Sequence, residues 1–141
     1  MKKKVLILSP HADDEILGCG GIISRYSRNG HSVYVLILTN ANVGAPEIYS
    51  KKDIFLIRNE AKRANKFLGT KKLFFENLPG LNLKSYPTYK ISNIIKKYIK
   101  KIDPESVFIP SSNDIHDDHK IIFLPLVTHF SHQLILTGQS P

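Results

Sequence analysis

Residues 5–21 read Val5-Leu6-Ile7-Leu8-Ser9-Pro10-His11-Ala12-Asp13-Asp14-Glu15-Ile16-Leu17-Gly18-Cys19-Gly20-Gly21, and this stretch decides the fold. It opens on a short aliphatic run stopped by Pro10, the pattern of a strand buried on both faces. A histidine and three acids follow between His11 and Glu15. From Ile16 to Asn29 a helical pattern takes over, with Ile16, Leu17, Ile23 and Tyr26 on one side. Gly18, Gly20 and Gly21 weaken its helix propensity, yet let its start lie close against a sheet. Asn29-Gly30 ends it. The unit is therefore strand, polar turn, helix.

The unit recurs outward. Val33–Thr39 is a second aliphatic strand, and Asn40 to Glu47 reads as a loop. Lys51 to Leu68 carries Ile54, Ile57, Ala61, Ala64 and Leu68 at helical spacing, with Gly69 as its stop. Lys72–Glu76 is a third strand, and Leu78 to Pro87 is rich in turn residues. Ile91, Ile94, Ile95, Tyr98, Ile99 and Ile102 form an amphipathic helix ended by Asp103-Pro104. Ser106–Ile109 is a fourth strand, stopped by Pro110. Apolar strands alternating with amphipathic helices predict an α/β fold, a Rossmann-like three-layer sandwich with a mainly parallel sheet. Ligands of such sheets bind beyond the carboxyl ends of the strands.

The 141 residues suit one domain, 1–141. A net charge of +8 points toward acidic partners. The lysines, however, fall on helix faces such as Lys96-Lys97 and Lys100-Lys101, and at Lys2-Lys3-Lys4, where solvated charge is expected. No motif that reads RNA or DNA accompanies them, so no nucleic acid is expected as a partner. Val5 to Leu8 is too short for the core of a secretory signal, and no segment is long enough to span a membrane. Cys19 is the single cysteine. A cytoplasmic protein is the default expectation.

Residues 121–141 contain no Lys, Arg, Asp or Glu, and Pro125 is expected to interrupt any helix there. Two readings of 121–141 stand side by side: a divergent, truncated or frame-shifted tail, or a buried C-terminal strand and turn.

The chemistry lies in two clusters. His11, Asp13 and Asp14 leave the first strand, and His116-Asp117-Asp118-His119 follows the fourth. Imidazole nitrogen and carboxylate oxygen are ordinary zinc ligands, and a catalytic zinc takes three protein ligands plus water. His11 and Asp14 can meet one point, with Asp13 to the side. One histidine of the second cluster completes the set and the other is left for proton transfer or oxyanion stabilisation. A carboxylate serves as general base, and Asp118 is placed to orient His116. Taken alone, an Asp-Asp-Glu run can be helix capping and a lone histidine a surface residue. Two clusters at two strand ends favour a metal site. Glu15 reads as support for the turn and Asp117 as solvated.

These residues resemble the PIG-L / LmbE family of zinc-dependent N-acetylglucosaminyl deacetylases. The family's His-Pro-Asp-Asp-Glu is here His11-Ala12-Asp13-Asp14-Glu15, with alanine for proline, followed by Leu-Gly-Cys-Gly-Gly. Its His-x-Asp-His is here His116-Asp117-Asp118-His119, preceded by Asn113-Asp114-Ile115. Arg58-Asn59-Glu60-Ala61 through Leu68-Gly69 matches a further helix, and the likeness runs from residue 3 to about 120. The resemblance implies His11, Asp14 and His119 as ligands of one zinc ion and Asp13 as general base. It implies His116 as the oxyanion-stabilising or acid residue, tuned by Asp118, and Arg58 as a substrate contact. The implied partner is a small amino-sugar conjugate, whose acetamide is hydrolysed to acetate and a free amine. The short, charge-free end carries the alternative, a family remnant that binds metal or sugar without catalysis.

Overall fold

The computed structural model describes residues 1–109, 111, 113–129 and 134–136. Five parallel strands lie in the order β3-β2-β1-β4-β5: β1 (Lys4–Ser9), β2 (Ser32–Asn40), β3 (Lys72–Pro79), β4 (Ser106–Ile109) and β5 (Leu134–Leu136). The helices are α1 (Asp14–Arg28), α2 (Ala41–Gly44), α3 (Lys51–Leu68), α4 (Thr88–Ile102) and α5 (Asp117–His129). The expected α/β sandwich is thus the observed one.

The pleat sorts the strand residues into two cores. Leu6, Leu8, Leu36, Leu38, Val107 and Ile109 pack with Ile91, Ile95 and Ile99 of α4 and Ile122 and Leu126 of α5. Val5, Ile7, Val33, Val35, Ile37 and Phe108 face the other way, onto Cys19 and Ile23 of α1 and Ala61 of α3. Successive strand side chains point to opposite faces, so a sheet covered on both sides needs unbroken aliphatic runs. That is why these strands are legible without alternation.

Helix ends follow their sequence signals. Ser50 and Asp53 form a reciprocal capping box at the start of α3. Gly69 ends it with φ 86°, a conformation glycine adopts without a steric penalty. The expected loop after β2 contains the single turn α2, and β3 runs on to Pro79, past the expected Glu76, through an irregularity opposite Ile37 and Thr39.

The charge-free end departs from one expectation. α5 continues through Pro125 to His129. A proline inside a helix costs about 3 kcal/mol. Ile122 and Leu126 are both fully buried on this helix, and each such burial returns about 1.5–3 kcal/mol. Packing therefore outweighs propensity. Leu134–Leu136 then pairs in parallel with Val107–Ile109, so a strand is present in this end. Pro110, the expected stop of β4, and residues 130–133 and 137–141 lie outside the described residues.

Strand order places the site. The chain leaves β1 through α1 to β2 on one side, while β4 lies on β1's other side. The connections diverge between the carboxyl ends of β1 and β4 and open a crevice there. His11 follows β1 and His116 follows β4, so the crevice is where the two clusters meet.

Candidate metal centre

The turn after β1 is tied down on all sides. The Ser9 hydroxyl donates to the His11 carbonyl at 2.6 Å, and the Thr39 hydroxyl to the Pro10 carbonyl at 2.8 Å. The His11 amide donates to the Asp14 carboxylate at 2.9 Å. Across the crevice, the Asp114 carboxylate accepts from the His116 amide at 3.0 Å, shaping the approach to α5.

Three side-chain atoms from these two segments converge. His11 Nδ1 lies 3.2 Å from Asp14 Oδ2, which lies 3.1 Å from His119 Nε2. His119 Nε2 is 3.4 Å from His11 Nδ1. Ligands held at about 2.0–2.1 Å from one tetrahedral ion stand about 3.3 Å apart. The triangle therefore has the edges of a metal site, and two imidazoles with a carboxylate suit zinc chemically.

The far nitrogens reinforce this. His11 Nε2 is 2.8 Å from Asp118 Oδ2, and His119 Nδ1 is 2.7 Å from Asp114 Oδ2. Each carboxylate takes a ring N–H on the outer side, leaving the inner nitrogen's lone pair for a cation. Burial opposes charge on His11, but hydrogen bonds to Asp118 and Asp14 overcome it and raise its pKa to about 9. His119 is raised likewise against burial, by Asp14 and Asp114. Burial pushes the Asp14 carboxyl upward, yet bonds from His11 and His119 hold it well below the usual carboxylate range. The surrounding carboxylates thus favour positive charge on both histidines.

His116 stands beside the triangle. Its ring is 4.6 Å from that of His11 and 5.0 Å from that of His119, centre to centre. Donor atoms of the three histidines fall within 4.8 Å of one another. That set is looser than the triangle with Asp14, and we take the tighter set as the cation cage. His116 Nδ1 accepts from the Asp118 amide at 3.2 Å, so a neutral ring carries its proton on Nε2 and offers a donor.

The role expected of Asp118 changes. Its carboxylate does not bond His116; it bonds His11 Nε2 and the amides of Leu81 (2.7 Å) and Leu83 (3.1 Å). Residues two apart at a helix start do not face each other. Asp118 instead turns inward to the loop before α4 and is 2% exposed. Burial raises its carboxyl, but these bonds, His11's first, bring it below its ordinary value. Sequence reasoning also left Asp114 without a role, and it is the carboxylate that orients His119. The usable signal was the rule that a ligating histidine donates its far N–H to an acid.

Asp13 occupies the N-cap position of α1 and makes no capping hydrogen bond. Its backbone sits at φ 150° and ψ −30°, a strained region for a residue with a Cβ. Its carboxyl is raised, by burial and then by the charge of Asp14. The bland capping reading of the acidic run therefore fails for both aspartates, since Asp14 turns back to His11. Asp117 is exposed, as expected, and Cys19 is buried against the sheet.

Asp13, Asp14, His11 and His116 line a cleft of about 1330 Å³ that extends to Arg58. The Arg58 guanidinium donates to the Glu76 carbonyl at 2.7 Å and to Asn77 Oδ1 at 2.9 Å, and lies over the Phe75 ring. It thus braces the end of β3 while forming part of the cleft wall.

A family model described as GlcNAc-PI de-N-acetylase, PIG-L, matches residues 6–129. Diacetylchitobiose deacetylase from Thermococcus kodakarensis is 32% identical over 123 residues, covering 84% of this chain and 45% of that protein. A probable N-acetyl-alpha-D-glucosaminyl L-malate deacetylase 2 from Bacillus anthracis is 28% identical over 125 residues, covering 84% and 55%. The solved structure of N,N'-diacetylchitobiose deacetylase from Pyrococcus horikoshii superposes with a TM-score of 0.78 at 28% identity, covering 89% of this chain and 48% of that one. The chain spans about half the length of the curated relatives it matches.

Proposed function

Since the chain belongs to the PIG-L family, we propose that it hydrolyses the acetamide of a small N-acetylglucosamine-containing molecule to acetate and a free amine. The observation that carries this reading is the triangle of His11, Asp14 and His119 with two outer carboxylates behind it. Those three residues would hold one zinc ion. When bound, such an ion supplies Lewis acidity, lowering the pKa of a coordinated water and polarising the acetamide carbonyl.

The chain's own groups do the rest. Asp13 lines the cleft outside the triangle, and its raised pKa suits a carboxylate that accepts a proton from water. His116 lines the cleft, where the Nε2–H of its neutral ring can stabilise an oxyanion by donating a hydrogen bond. Asp118 acts on this reaction through His11. Arg58 lines the same cleft and would contact the sugar or its substituent.

The direct test is a metal analysis paired with an acetate-release assay on a panel of N-acetylglucosaminides. One zinc per chain and acetate from at least one substrate are expected, with both lost in Asp14→Ala. Zinc binding without acetate release from any glucosaminide would favour the metal-binding remnant instead.

Metal affinity should also depend on pH with a definite sign. In the metal-free protein His11 keeps its extra proton up to about pH 9. A cation must displace that proton. Zinc affinity should therefore climb with pH up to about 9 and level off above it. Calorimetry in buffers of different ionisation enthalpy should register proton release at pH 7. An affinity that stays flat over this range would contradict the cage described above.

A further inference from the structure

A buried carboxylate that the reaction above leaves unused stands directly behind Asp13. Glu15 is 1% exposed, and so is Asn65 of α3. Glu15 Oε2 accepts from the Asp13 amide at 3.0 Å and lies 3.3 Å from the Ser9 hydroxyl. Its Oε1 accepts from Asn65 Nδ2 at 2.9 Å. Asn65 is itself fixed, donating to the Ala61 carbonyl at 3.0 Å and accepting from the Thr70 hydroxyl at 2.8 Å. One carboxylate thus ties the end of β1, the metal-site turn and α1 to α3.

Two features say what this knot does. The Asp13 backbone is strained, at a cost on the order of 1–3 kcal/mol, and such a conformation persists only where its surroundings impose it. The Asp13 amide also bonds the Glu15 carboxylate two residues on, where a capping box would use the side chain three residues on. In the full box the first residue's side chain would cap the helix in return. Here it does not. Glu15 satisfies the terminal amide, and the Asp13 carboxylate makes no capping bond. As a stabilising device alone a buried carboxylate is poor, because desolvation works against its charged form. Its value lies in geometry.

We infer that Glu15, anchored by Asn65, is a positioning residue that holds Asp13 in its strained backbone conformation and so aims the Asp13 carboxylate into the cleft. This rests on the reading of Asp13 as the general base.

The test uses Glu15→Gln in the 141-residue chain, alone and combined with Asp13→Asn, with N,N'-diacetylchitobiose as the probe. Glu15→Gln should lower kcat on the order of 100-fold, the size of effect a displacement of about 1 Å produces, with KM and bound metal unchanged. In the Asp13→Asn background it should lower the residual rate no further, because both changes act through one group. A crystal structure of Glu15→Gln should have Asp13 relaxed to negative φ. Wild-type kcat in Glu15→Gln, an undiminished effect in the Asp13→Asn background, or an unchanged Asp13 φ would each overturn the inference. Should Glu15→Gln fail to fold, Asn65→Ala is read by the same three measurements against the same outcomes. A wild type that releases no acetate from any N-acetylglucosaminide of the panel would sink the proposed function, while the φ of Asp13 in the variant structure would still decide this inference.

Discussion

Asp13→Asn should reduce acetate release on the order of 10³-fold, within the range general-base catalysis supplies, while the protein keeps its metal. The two outcomes separate because Asp13 stands outside the triangle of His11, Asp14 and His119. Asparagine is the right replacement. It matches aspartate in size and, like it, tolerates unusual positive φ better than other residues with a Cβ. The fold should therefore survive, and lost rate can be assigned to lost basicity. Steady-state acetate release measured beside metal content checks this. A variant that keeps a large share of wild-type activity would remove Asp13 from the role of base.

Asp118→Ala should act on metal and stability together. Without this carboxylate His11 loses the partner that fixes its tautomer, and such losses weaken metal binding about 10–100-fold. The amides of Leu81 and Leu83 lose their acceptor too. The Leu83 amide is buried and the Leu81 amide only partly so; a buried group left unpaired costs about 1–3 kcal/mol, so urea denaturation should register a loss of about that size. The sign with pH is fixed by the lowered carboxyl. The contribution is present above the unfolded aspartate pKa of about 3.9 and is lost as pH falls through the lower folded value. Had Asp118 served His116 alone, as the motif suggested, the variant would lose rate but keep both metal affinity and stability. That outcome would restore the earlier assignment.

The strands and helices were legible because a sheet covered on both faces demands unbroken aliphatic runs, and its covering helices demand a repeating apolar stripe. Val5–Leu8, Val33–Leu38 and the isoleucines of α4 meet those demands locally. Pro125 was misleading for the complementary reason. Local propensity argues for a break, and only the burial of Ile122 and Leu126 against the rest of the fold reverses it. Within that end, Ile122 and Leu126 join the core that α4 covers, and Leu134–Leu136 pairs with β4.

For the site, the sequence by itself determined which groups exist and that they lie at the carboxyl ends of strands. His11, Asp13, Asp14, His116 and His119 were all readable, because residue type and spacing carry ligand chemistry. Their pairings were not readable. That His11 leans on Asp118 across a separation of 107 residues, that His119 leans on Asp114, and that Glu15 grips the amide of Asp13 are decided by which strands are neighbours. Only the tertiary structure brings the end of β1 against the end of β4. A hydrogen bond needs its partners within about 3 Å at a proper angle, and spacing along the chain sets such a distance within one turn of helix but not between two strands.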